Sequence, residues 1–219
     1  MKFVCSSLTL SFLLFAFVTN LSPSFTYNNG FPILNTAFEP IHPYGSYYII
    51  PTFFGVRSGR LKLEKTGDSK CPVTILEEDF NNTHYLPVKF TKLVDTEFDE
   101  IVTGTPIEIE FTRNKPDCVE STKWLIFIDN VINKFCVGIG GPENYPGMQI
   151  VNGTFNIQRY GSSYNFVFCV DGSSAFCSDI GFYNNGEGGG RLILTDQKIS
   201  AFVFSETYSY EDGNIRSVA

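Results

Sequence analysis

The chain has 219 residues, with 16 Lys or Arg against 23 Asp or Glu and only two His, for a net charge of −7. No Lys/Arg cluster longer than two occurs, which argues against nucleic acid and anionic membrane as partners. Two histidines, no G-x-S-x-G, no H-E-x-x-H and no phosphate-cradling loop leave little for catalysis, so neither enzyme nor cofactor is expected.

The N-terminus carries one charge, at Lys2, followed by an apolar core over residues 8–18 that gives way to small polar residues. That is the layout of a secretory signal peptide, assigned to residues 1–25. The apolar core is well short of the roughly 20 residues a membrane helix needs. Residues 26–219 are expected to form a single exported, monomeric domain, found outside the cell or in the vacuole. Without Lys2 it carries 15 basic and 23 acidic side chains, a net charge of about −8.

A turn-rich opening, "ILNTAFEPIHPYGSYYIIP" from Ile33, leads into alternating segments. Apolar residues recur at every second position at Leu61 and Leu63, at Ile107, Ile109 and Phe111, at Phe155 and Ile157, and at Tyr164, Phe166 and Phe168. This is the period of half-buried strands. Turn residues separate them: Thr66-Gly67-Asp68, Gly140-Gly141-Pro142, Asp171-Gly172 and the glycine-rich stretch 186–190. About a dozen short strands and no helix are expected, with a loose tail over residues 210–219. "YYIIP" from Tyr47, "IEIEF" from Ile107 and "YNFVF" from Tyr164 lie 60 and 57 residues apart. Such a threefold repeat fits an all-β trefoil, in which three units close a barrel and its cap; a β-sandwich is the alternative.

Export allows disulfides, and five cysteines follow the leader: Cys71, Cys118, Cys136, Cys169 and Cys177. The short spacing of Cys169 and Cys177 suits a closed hairpin. Asn81 and Asn152 head N-x-T glycosylation acceptors. Asp95, Glu97, Asp99 and Glu100 lack the ligand pattern of a calcium loop, so no metal is assigned and the run reads as a solvated face. The single Trp124 reads as a core residue, since the Q-x-W repeat of lectin trefoils is absent.

The motifs "YYIIP", "CPVTIL", "GTPIEIEF", "IGGPENYPG", "NGTFNIQ", "YNFVFC", "CSDIGFY" and "GGRLILTD" resemble, in order and spacing, the plant Kunitz-type (soybean trypsin inhibitor, miraculin-like) family. The resemblance implies a β-trefoil with Cys71 bonded to Cys118 and Cys169 to Cys177, leaving Cys136 as a free thiol, either a small buried hydrophobe or a reactive group. Closing the first loop would contribute roughly 3 to 4 kcal/mol on the chain-entropy model.

The resemblance also implies inhibition of serine proteases by an exposed substrate-like loop between Cys71 and Cys118. The residue matching the one that enters the protease S1 pocket falls at Asp95 or Glu97, within the reactive-site segment Asp95, Thr96, Glu97 and Phe98. No Lys or Arg lies between Lys92 and Arg113, so a trypsin S1 aspartate would face a like charge. Asn35 and Phe38 replace residues usual in the opening segment, and Pro43 stands where trypsin-directed members carry a loop-bracing asparagine. The expected function is a secreted endopeptidase inhibitor of altered specificity, poor against trypsin. The alternative is a noncatalytic, miraculin-like defence protein.

Overall fold

Ile107, Ile109 and Phe111 alternate with Glu108 and Glu110, and in the computed structural model this segment is a strand with its apolar face buried. The structure describes residues 30–207 apart from 54–55, 58, 79–85, 172–175, 185–188 and 198. The leader, Asn81, His84, the C-terminal tail and parts of two expected turns therefore lie outside the described residues.

Among the described residues fourteen strands join in one sheet, and they fall into three successive sets. The first holds β1 (Tyr47–Phe53), β2 (Val56–Arg57), β3 (Arg60–Glu64), β4 (Thr74–Glu78) and β5 (Pro87–Lys92). The second holds β6 (Ile107–Phe111), β7 (Trp124–Asp129), β8 (Lys134–Ile139), β9 (Ile150–Val151) and β10 (Gly153–Tyr160). The third holds β11 (Ser163–Val170), β12 (Cys177–Asn184), β13 (Gly190–Thr195) and β14 (Ala201–Glu206). A three-residue 3₁₀ turn, Pro142–Asn144, follows β8.

The outer strands of each set close a six-membered ring, β1-β5-β6-β10-β11-β14, with β14 returning to β1. The inner pairs, β3 with β4, β7 with β8 and β12 with β13, are three hairpins. They meet in a triangle, where Arg191 faces Leu76, Ile193 faces Cys136 and Thr74 faces Gly138. A six-stranded barrel capped by three hairpins is a β-trefoil, and ring closure rules out the sandwich. The repeat read at Tyr47, Ile107 and Tyr164 marks the first barrel strand of each set. Twelve strands build barrel and cap, with β2 and β9 as two-residue additions.

Aromatic rings fill the barrel. Phe166 packs on Phe202 and Phe204 at 5.2 and 5.9 Å between centroids, and Phe90 meets Phe204 edge-on at 5.6 Å. Such contacts add about 0.5–1.5 kcal/mol each beyond the area they bury. Trp124 sits among Phe111, Phe155 and Phe166, as a core residue should. In the cap, Gly138 has no room for a side chain: a Cβ there would strike the Tyr145 hydroxyl and the Val73 carbonyl. That hydroxyl donates to the Ile139 carbonyl at 2.7 Å and ties the "PENYPG" turn to β8.

Among the described residues two arginines, Arg60 and Arg191, are buried in the cap. Arg191 forms an ion pair with Asp129, both side chains at most 5% exposed, and Arg60 approaches Glu78 at 3.5 Å. The second oxygen of Asp129 accepts the amides of Val131 and Ile132, shaping the turn between β7 and β8.

Candidate functional site

Residues 93–106 connect β5 to β6, and this connection has two unlike halves. At its start, the Leu93 amide donates to the Pro106 carbonyl at 2.9 Å, continuing the ladder that pairs Lys92 with Ile107. From Asp95 to Glu100 the chain runs outside any strand with bends at Glu97, Asp99 and Glu100, and exposure alternates: Asp95, Glu97 and Asp99 face solvent while Thr96, Phe98 and Glu100 are half-buried. The underside is held from within. The Lys92 ammonium donates to Thr96 Oγ1 at 3.2 Å and to the Phe98 carbonyl at 2.6 Å, and Thr96 Oγ1 donates to that same carbonyl at 3.0 Å.

The second half is woven into the barrel. The Ile101 amide donates to the Ile41 carbonyl at 2.8 Å, and the Ile33 amide donates to the Ile101 carbonyl at 3.0 Å. Val102 bridges Pro32, Thr103 exchanges hydrogen bonds with Phe31, and the Gly104 amide reaches the Ile157 carbonyl at 2.9 Å. Ile101 and Val102 are buried. The exposed stretch therefore ends at Glu100, because two apolar side chains and a ladder to the N-terminal segment draw the chain inward. Gly104 completes the return at φ 79°, in the left-handed region that favours glycine.

The opening segment thus serves as a strap across the loop base. Asn35, itself buried, accepts the amides of Ala37 and Glu39 through Oδ1 and donates Nδ2 to Glu39 at 3.1 Å, closing the turn at residues 35–39. Phe38 occupies that turn at φ 64° with its ring in solvent. Pro43 is half-buried and offers no side-chain donor to the loop, so the bracing falls to Lys92, a residue the sequence reading passed over. Its signal in the sequence is slight: one lysine closing a strand, with a threonine four residues on.

Electrostatically the stretch is a row of three outward carboxylates. Lys92 is the base next to it, and its ammonium is engaged inward. Among the described residues no group of three His, Cys, Asp or Glu is arranged to hold a metal ion. His42 is exposed and takes no part in the loop's hydrogen bonds.

Two disulfides frame the molecule, Cys71–Cys118 across a sequence separation of 47 and Cys169–Cys177 across 8. The first encloses the loop, so a cut within residues 93–100 would leave both pieces covalently joined. Cys136 lies wholly buried in β8, facing Phe127 and Ile193, and belongs to neither bridge.

The legume Kunitz family model, described as trypsin and protease inhibitor, matches residues 33–206. The chain belongs to this family. It is 46% identical to a Kunitz-type trypsin inhibitor-like protein of Pisum sativum, over 97% of the chain and 98% of the relative. It is also 46% identical to a subtilisin inhibitor of Canavalia lineata, over 84% and 96%. A Kunitz-type trypsin inhibitor of Cicer arietinum superposes with a TM-score of 0.75 at 51% identity, covering 81% of this chain and 99% of that one. Members of this family are protease inhibitors rather than enzymes, and proteases are their partners.

Proposed function

We propose that the protein is a secreted, monomeric inhibitor of a serine endopeptidase outside the cell or in the vacuole, and that residues 93–100 enter the enzyme's cleft as a substrate-like segment. The observation that carries this reading is the combination of an outward-facing acidic stretch with an internal clamp from Lys92. A segment already held in place loses little entropy on binding, and its ends stay in place if cut.

Specificity follows from side-chain chemistry. Asp95 and Glu97 stand exposed where a basic residue would serve trypsin, and Lys92 is turned inward. An acidic side chain desolvated beside the trypsin S1 aspartate is repelled, so trypsin is a poor target. The named activity of the Canavalia lineata relative, subtilisin inhibition, supports a serine protease other than trypsin as the target.

The test is an inhibition panel of the purified mature protein against subtilisin-like, elastase-like, chymotrypsin-like, papain-like and trypsin-like enzymes. Tight inhibition of a non-trypsin serine protease with weak inhibition of trypsin is expected. Tight inhibition of trypsin overturns the specificity reading. No inhibition anywhere favours a noncatalytic binding protein on the same scaffold.

A further inference from the structure

Beside the loop base lies a cleft of about 250 Å³ whose wall includes Leu125, Ile150 and Val151, all only half-buried, with Trp124 behind them. Leu93, the first residue of the loop, and the ion pair of Lys123 with Glu108 at 2.8 Å also line it. So does Asn152, which is exposed and heads the acceptor sequence Asn152-Gly153-Thr154. Its backbone is fixed by a hydrogen bond from the Asp171 amide to the Asn152 carbonyl at 3.1 Å. The middle position must be glycine, because a Cβ at Gly153 would meet the Cys169 carbonyl and the Phe168 ring.

We propose that Asn152 carries an N-linked glycan whose first N-acetylhexosamine lies in this cleft and packs against the foot of the loop. In the attachment step a lipid-pyrophosphate-linked oligosaccharide is the donor. Its C1–O bond to pyrophosphate breaks, the Asn152 amide nitrogen bonds C1 and loses a proton, and the lipid pyrophosphate leaves. The cleft is smaller than the roughly 300–1,000 Å³ of pockets for drug-sized ligands, and suits one ring rather than a branched sugar. The apolar face of a hexosamine matches Leu125, Ile150 and Val151, and its hydroxyls and acetamide face Lys123, Glu108 and Asp171 at the rim. A free monosaccharide would bind such a cleft weakly. Attachment at Asn152 raises its effective concentration to the order of millimolar without any further contact. The consequence is a second brace for Leu93, from outside the protein chain.

The proposal is independent of the inhibitory reading, and its test reads the cleft directly. Trp124 is the chain's single tryptophan, so fluorescence excited beyond the absorption of its tyrosines reports on this residue alone. The full chain is secreted from a plant host, and the Asn152 peptide is mapped by mass. A glycan on it is expected; a bare asparagine overturns the proposal. Three samples are then compared: glycan trimmed to one hexosamine, Asn152→Gln, and Thr154→Ala, which keeps the asparagine but removes the acceptor. The trimmed protein should show lower quenching of Trp124 by acrylamide and severalfold slower amide exchange at Leu93 and Ile107 than either variant. Equal quenching and exchange in all three would mean that the sugar points into solvent, and the docked position would be wrong. Trimming requires no substitution, so a variant that folds poorly leaves the comparison of the trimmed protein with fully deglycosylated protein, whose Asn152 amide has been hydrolysed to a carboxylate, to decide.

Discussion

The two halves of the connection between β5 and β6 have different supports. Residues 93–100 carry four carboxylates and are held by side chains of their own neighbourhood, chiefly Lys92 and Thr96. Residues 101–105 are held by backbone hydrogen bonds to Phe31, Ile41 and Ile157 and by the burial of Ile101 and Val102. The second half therefore belongs to the folded core energetically, while the first can change its surface chemistry with little effect on the fold. One half fixes where the loop stands and the other fixes what it presents.

That division is sharpest under substitution. Ile101→Ala removes a fully buried side chain from the anchored half and should destabilise the protein by about 2–5 kcal/mol, read as a lower denaturant midpoint. Lys92→Met removes the internal clamp while keeping the aliphatic stem. Stability should fall by about 1 kcal/mol or less, because the ammonium is only partly buried, but inhibition of the target enzyme should weaken by about tenfold and the loop should be cut faster. A large loss of stability without a change in inhibition would break the comparison.

Glu97→Arg, with Asp95→Arg for the alternative register, should leave stability within about 0.5 kcal/mol, as for an exposed position. Trypsin inhibition should rise, because a guanidinium replaces a carboxylate opposite the S1 aspartate. Pro43→Asn should add little to either, since Lys92 already braces the loop. Inhibition constants for the single and double variants check both statements.

The smallest effect concerns pH. Burial holds the Tyr47 phenol above its ordinary value of 10.0, against the lowering effect of its hydrogen bond from the His42 amide. Burial likewise raises Tyr145 in the cap. Both stay neutral in the folded protein, whereas the unfolded chain ionises at the ordinary value. Their contribution to stability is thus complete below pH 10.0 and is lost as pH rises through the raised folded values. Because Tyr47 supports the strap over the anchored half, phenolate absorbance and loss of inhibition should appear together at alkaline pH.

Much of the barrel is legible in the sequence because its strands bury one face. Ile107, Ile109 and Phe111 alternate visibly with two glutamates that pair with Lys89 and Lys123 outside. The third repeat is less so: from Ser163 to Phe168 every residue is buried, including Asn165, whose amide donates to Asp179 on β12. A strand paired with β10, β12 and β14 has no solvated face to show. Arg60 and Arg191 could not be read as interior residues, since a charge signals surface until its carboxylate partner is known. Breaking the pair of Arg191 with Asp129, for example by Arg191→Met, should cost about 3–5 kcal/mol, the penalty of leaving one charge buried.

The loop's position follows from its sequence, but its brace does not. The four carboxylates of Asp95, Glu97, Asp99 and Glu100 mark residues 93–103 as an exposed loop, whereas in the structure Ile101 and Val102 are buried and the projection ends at Glu100. Nothing local distinguishes a lysine folded under its own loop from one in solvent, because the contact depends on the turn made by Thr96 and Phe98. Asn35 and Phe38 read as departures in the sequence, yet Asn35 closes its turn with three side-chain hydrogen bonds. A bulky residue at φ 64° is the strained member of that turn.

The central claim, that residues 93–100 are the segment offered to the enzyme, is tested most directly by mapping where an inhibited protease cuts. The mature protein is incubated with the enzyme it inhibits best, the complex is dissociated, and the nonreduced and reduced chains are compared by mass. One slow cut within residues 93–100 is predicted, with the two pieces still joined through Cys71–Cys118 until reduction and with inhibition retained. Full inhibition with the loop intact and the first cut elsewhere would contradict the account and move the inhibitory surface to another face of the trefoil.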